Sequence, residues 1–292
     1  MTNIKLFPIQ ARWFVLLWFI PLFGDPLQLM VDIYLVSKWV SFYREDDIPY
    51  YFFDFSFYYF SAARTIFVIA VLALLTRTSL KPLLAPFNSK QLIPSLEITL
   101  FTYFLSGSLI YLTFYPMAFA IPNFVESWFI HLPPLTHVQD GSFLFWPNVL
   151  SFVSLAVLAP VIEELVFRGI LLQRWGTKYN SKVAILLSSA IFASMHTDPF
   201  GAFIFGLLMS YLAIRSKGIL LPIICHSLYN TFVWLISFIV HVIDPSHFPT
   251  LDKFQSEWGY GVGYIVITVI WAFRLQPKIP KLETWKIPVL YK

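Results

Sequence analysis

Charge is what this sequence has least of. Lys, Arg, Asp and Glu make up 12% of its 292 residues and hydrophobic residues 58%, where a soluble domain carries about 25% charged residues. A soluble chain of this length needs polar residues to cover its surface. A soluble enzyme, a nucleic-acid binder and a disordered scaffold are therefore excluded. Cysteine is nearly absent: Cys225 stands alone, which rules out a disulfide framework and any multi-cysteine metal site. A formal charge of +4 is too small to point to nucleic acid. Internal repeats, low-complexity stretches and linkers are missing too, so the chain reads as one membrane domain. Its apolar start lacks a small-residue cleavage site and reads as a first membrane helix, not a removed signal.

What is present is a series of apolar runs. Spanning a bilayer takes about 20 mostly apolar residues, and eight runs come near that, at 13–36, 56–76, 94–120, 143–167, 183–196, 199–214, 219–243 and 259–275. The fifth and sixth are short. Lys and Arg collect on cytoplasmic loops. With the N-terminus inside, only Lys38, Arg44 and Lys253 fall outside and Arg64 falls within a run, leaving 16 of the 20 basic residues on cytoplasmic segments. The expected fold is an all-α, polytopic bundle of about eight membrane helices with both termini cytoplasmic. Residues 1–142 carry motif-free helices, 143–243 the chemistry, and 244–292 a last helix and a surface tail. The segment 122–141 is expected at the outer interface, with His131, His137, His241 and His247 at the surface.

Ionisable groups inside a span are costly and are functional candidates by default. The fourth run holds Glu163, Glu164 and Arg168, the fifth ends at Phe192 and His196, and the seventh holds Cys225, His226 and Asn230. Glu164 and Arg168 are four apart on one helix face, in the favourable order for an ion pair. Glu163 is turned about 100° away, so it is left for chemistry. Counting from the intervening turns, Glu163, His196, His226 and Asn230 reach similar depth at 1.5 Å per residue. Blander readings stand beside these: His196 as a helix cap, Asn230 as packing glue between helices. Cys225 is read as a small buried thiol, and Asp25, Asp32 and Arg64 as structural. Gly259 and Gly263 have the spacing of a close helix contact, within the bundle or between two copies.

The ordered set Glu163-Glu164-x-x-x-Arg168, Phe192-x-x-x-His196 and His226-x-x-x-Asn230 resembles the CPBP family of CAAX prenyl endopeptidases and bacteriocin-processing or immunity proteins, also called ABI. The resemblance spans roughly 143–242. It implies an intramembrane protease with a polar cavity opening toward the cytoplasm. Glu163 would then be the general base and His196 would hold the attacking water. His226 and Asn230 would stabilise the oxyanion, while Glu164, Arg168 and Phe192 give structural support. Zinc held by Glu163, His196 and His226 is an alternative ligand set. It would leave no second base, so metal-free catalysis is preferred and no cofactor is expected.

The implied partners are the lipid bilayer and a peptide or lipidated-protein substrate, a prenylated CAAX-type tail among them, entering from the cytoplasmic side. A bacterial inner membrane fits the compact chain. Two other classes compete: a non-hydrolytic immunity or scaffold protein, and a proton-coupled transporter using Glu163 and His196 as a relay.

Overall fold

In lipid, backbone N–H and C=O groups find no water, so apolar stretches satisfy them within helices. The computed structural model describes residues 66, 70, 81–84 and 88–288, apart from 133, 140, 141, 245–248 and 276–278. The expected runs 13–36 and most of 56–76, with Asp25, Asp32 and Arg64, lie outside the described residues. So does His247.

Six long helices account for the remaining six runs: α1 Leu92–Ala120, α2 Phe145–Lys178, α3 Ser181–Ser194, α4 Pro199–Ser216, α5 Leu220–Ile243 and α6 Trp258–Leu275. All except α3 are long and apolar enough to cross a membrane. The protein is an integral, multi-pass membrane protein. Among the described residues the only pairing of strands is the two-residue hairpin Val138–Gln139 with Ser142–Phe143.

Caps fix the turns that the site depends on. The Asn180 side chain accepts from Val183 N–H and starts α3. Asp198 accepts from Gly201 N–H and Pro199 follows it, a pairing suited to a helix start. At the other end of α4, Lys217 closes the helix in the left-handed conformation (φ 57°). In α1, hydroxyls fold back on the helix: Ser95 to Gln91 O, Thr99 to Ser95 O, Thr102 to Ile98 O. They are thereby satisfied without water.

α2 is not a regular helix. Two π-helical stretches, Val153–Leu158 and Leu165–Leu171, flank the α-helical turn Ala159–Glu164. Pro160 supplies no N–H and its ring crowds the carbonyl four residues back, and the first π stretch accommodates both. Widened turns of this kind gather at functional sites.

The lower half of the bundle, at the Lys- and Arg-rich ends, is a dry core. Phe167, Ile170, Leu171, Leu172, Ile185, Met209, Leu212 and Leu221 are each 1% exposed or less. The tail packs beneath them: Trp285 lies 4.9 Å from the Tyr211 ring, and Ile287 N–H reaches Ser181 Oγ. At the opposite end, Trp128 Nε1–H donates to the Thr197 carbonyl and Val125 and Ile130 pack against Phe114 and Ala118 of α1.

One expectation is corrected here. His137 is buried, not superficial, because the hairpin turns back onto α2, where Asn148 bonds both its N–H and its carbonyl. Of the two contacts open to Gly259 and Gly263, the one within the bundle is not made by the described residues, since nothing lies within 4 Å of either; Gly261, midway between them, packs on Tyr111.

Candidate active site

The site is assembled where α2, α3, α4 and α5 meet. Glu164 and Arg168 form a fully buried pair, Oε1 to Nη1 2.9 Å, with 0% and 1% of their side chains exposed. Arg168 Nη2 continues to the Gly206 carbonyl of α4 at 3.1 Å, and its guanidinium lies 4.8 Å from the Phe192 ring centre. The arginine therefore ties α2, α3 and α4 together.

His226 bridges the two glutamates. Its Nδ1 lies 2.9 Å from Glu164 Oε1, and its Nε2 lies 3.8 Å from Glu163 Oε2. A carboxylate only accepts, so Nδ1 carries the proton. Glu163 is 20% exposed, and its Oε2 has no hydrogen-bond partner.

His196 sits in the turn after α3. Its Nδ1 donates to the Phe192 carbonyl at 2.7 Å, and its ring stacks on Phe192 at 4.3 Å. In the neutral form this leaves Nε2 as an acceptor for a water O–H. Asn230 spends one Nδ2–H on the Leu155 carbonyl at 2.8 Å and retains a second.

His196, His226 and Asn230 line one cavity of about 390 Å³. Glu163 is not among its lining residues; it lies behind His226, 3.8 Å from that ring's Nε2. Phe192 lines it too, whereas Glu164 and Arg168 lie in the protein interior behind it. Sequence reasoning missed the rest of the wall. Tyr103 and Ser106 come from α1, a helix without a motif, and Tyr264 from α6. Asp198 accepts from Ser106 Oγ at 2.5 Å and from Gly201 N–H at 3.0 Å. The Asp-Pro pair after His196 was the available signal, since it marks a helix start. Cys225 is fully buried, as expected.

The zinc alternative fits poorly. Among the described residues no three His, Cys, Asp or Glu side chains are gathered to hold a metal ion, and Glu163, His196 and His226 do not form such a group.

Fold and site together define a multi-pass helical membrane protein with a buried ion-paired cluster beside a cavity. Residues 145–232 match the family model described as type II CAAX prenyl endopeptidase Rce1-like, which bears out the family resemblance and falls on α2 through α5. The "Putative membrane peptidase YdiL" of Bacillus subtilis (strain 168) is 33% identical over 87 residues, 29% of this chain and 36% of that protein. The "Uncharacterized 24.3 kDa protein" of Escherichia coli is 33% identical over 86 residues, 27% of this chain and 40% of that protein. The match thus spans well under half the length of these curated relatives. No solved structure matches the chain.

Proposed function

We propose that this protein is an intramembrane endopeptidase that hydrolyses peptide bonds with a water activated by Glu163 and His196. The observation that carries the proposal is the meeting of His196, His226 and Asn230 on one cavity, with Glu163 Oε2, which accepts no hydrogen bond, 3.8 Å from His226 Nε2. Amide hydrolysis needs a base, a held water and donors where negative charge develops. His196 Nε2 accepts one O–H of the water and Glu163 takes the proton as the oxygen attacks the scissile carbonyl. The new oxyanion is met by the free Asn230 N–H and by His226 Nε2–H. Because Glu164 already holds Nδ1–H, His226 donates from Nε2 only as an imidazolium, whose charge the two glutamates balance. Glu163 then passes its proton to the leaving amine, and the base is restored.

Substrates are peptides or membrane-associated, including lipidated, proteins. The match to the CAAX endopeptidase family and the B. subtilis relative's printed name support proteolysis over an immunity, scaffold or transport role. Substitution Glu163→Gln tests it: the shape is kept and the basicity lost. Proteolysis of a membrane-protein substrate by the purified protein should fall 10²–10⁴-fold, the usual size of a general-base contribution, and retained proteolysis would overturn the reading.

A further inference from the structure

We propose that Pro160 is a positioning residue for the site: the N–H that it withholds from α2 leaves the Leu155 carbonyl to hold and orient the Asn230 amide. The catalytic value of that orientation rests on the peptidase reading, whereas the exchange of hydrogen bonds rests on geometry alone.

A carbonyl inside a helix is answered by the backbone, from four residues on in an α turn and from five residues on in a π turn. For Leu155 those donors belong to residues 159 and 160. The Ala159 N–H is spent on the Ser154 carbonyl, in the register of the π stretch Val153–Leu158. The next N–H in that register would come from residue 160, and proline has none. Leu155 thus loses both backbone donors at once. Its helix is long and apolar enough to cross a membrane, where bulk water does not replace them and a carbonyl left unanswered is costly.

The missing donor comes from α5. Asn230 Nδ2–H reaches the Leu155 carbonyl at 2.8 Å, across 75 residues of sequence. A carbonyl only accepts, so this contact decides which end of the planar amide is nitrogen and turns that end toward α2. With one Nδ2–H pinned, the direction of the other is set. Leu155 and Asn230 both line the cavity, as does His226, one turn earlier on α5. If residue 160 carried an N–H, the Leu155 carbonyl would be answered within α2 in either register, by residue 159 in an α turn or by residue 160 in a π turn. The carbonyl would then be drawn along the axis of its own helix, and the amide would lose its anchor. The widened turn is in this way part of the site, as such turns often are.

The test is a cycle of Pro160→Ala, Asn230→Ala and the double variant in the full chain, read by thermal unfolding in detergent and by proteolysis. Asn230→Ala should lower Tm in the native background and by far less in Pro160→Ala, where the carbonyl no longer needs the amide. Pro160→Ala alone should keep or raise Tm, since a proline leaves a helix. It should nevertheless lower kcat roughly 10²-fold, the cost of a misplaced group, with KM unchanged. The double variant should be no slower than Asn230→Ala alone. Equal Tm losses from Asn230→Ala in the two backgrounds would overturn the proposal. So would a Pro160→Ala protein that keeps its kcat, or one that does not fold, which would make Pro160 a structural necessity. The Tm comparison is read equally well in a Glu163→Gln protein without activity, so this proposal and the peptidase reading fail separately.

Discussion

Glu164 Oε1 accepts a hydrogen bond from Arg168 and another from His226, each at 2.9 Å, although His226 lies 62 residues further along the chain. One carboxylate oxygen thus joins the arginine that ties three helices to the imidazole that faces the cavity. Glu164 is a positioning residue as well as a brace, a role its spacing from Arg168 alone did not reveal.

The buried pair makes a stability prediction. Removing one partner of such a pair strands the other charge and costs about 3–5 kcal/mol. Arg168→Ala should therefore lower Tm in detergent sharply and reduce expression. Arg274, whose partner Glu97 is 2.6 Å away but which is 69% exposed, is the control: Arg274→Ala should cost about 0–1 kcal/mol. Equal shifts for the two would contradict the assignment of Arg168 as the interior tie.

Asn230 separates a catalytic donor from packing glue. Loss of one oxyanion donor lowers kcat about 10²–10³-fold. Loss of its hydrogen bond to the Leu155 carbonyl costs about 1 kcal/mol of stability. Asn230→Ala should show both effects, with KM little changed. A normal kcat with only the stability loss would return Asn230 to a structural role.

Much of this was legible because the chain is so apolar. Each of Glu163, Glu164, Arg168, His196, His226 and Asn230 stood out against its run, and helical spacing alone paired Glu164 with Arg168. The turns between α2 and α3 and between α4 and α5 fall between the expected runs. The π-helical stretches of α2 were not legible, since nothing in the residues of Val153–Leu158 or Leu165–Leu171 distinguishes a π turn from an α turn. Nor was the cavity wall from α1. Ser106 meets Asp198 across 92 residues, and a lone serine in an apolar run announces no partner.

The glycines give a contrast inside one fold. A Cβ on Gly206 would come within 3.0 Å of the Ser189 backbone, and the Gly206 carbonyl receives Arg168. Gly206→Ala should push α4 from α3 and cost about 1–3 kcal/mol, as overpacking does, with proteolysis falling as the Arg168 tie loosens. Gly259 and Gly263 meet nothing within 4 Å among the described residues. Their replacement by Ala should be neutral in activity and gain up to about 1 kcal/mol of helix propensity each. Thermal unfolding of the three variants side by side checks both halves, and a destabilised Gly259→Ala would show that this face is in contact after all.

Chelation distinguishes the two ways in which Glu163 could serve hydrolysis. As a zinc ligand it would have to converge with His196 and His226 at about 2.0–2.2 Å from one ion. Each imidazole has its Nδ1 engaged, by the Phe192 carbonyl and by Glu164, so only the two Nε2 atoms and the Glu163 carboxylate remain. These do not form a metal-holding group. As a base, Glu163 needs only a water between itself and the scissile carbonyl, which one hydrogen-bonded molecule beside His196 supplies. The purified protein should accordingly keep its proteolytic rate after prolonged treatment with EDTA and a stronger zinc chelator, and should not gain on adding zinc. Glu163→Gln should stay inactive under both conditions. Loss of activity on chelation with recovery on zinc alone would mean that His196 and His226 rearrange around a metal, and would assign Glu163 to its coordination sphere.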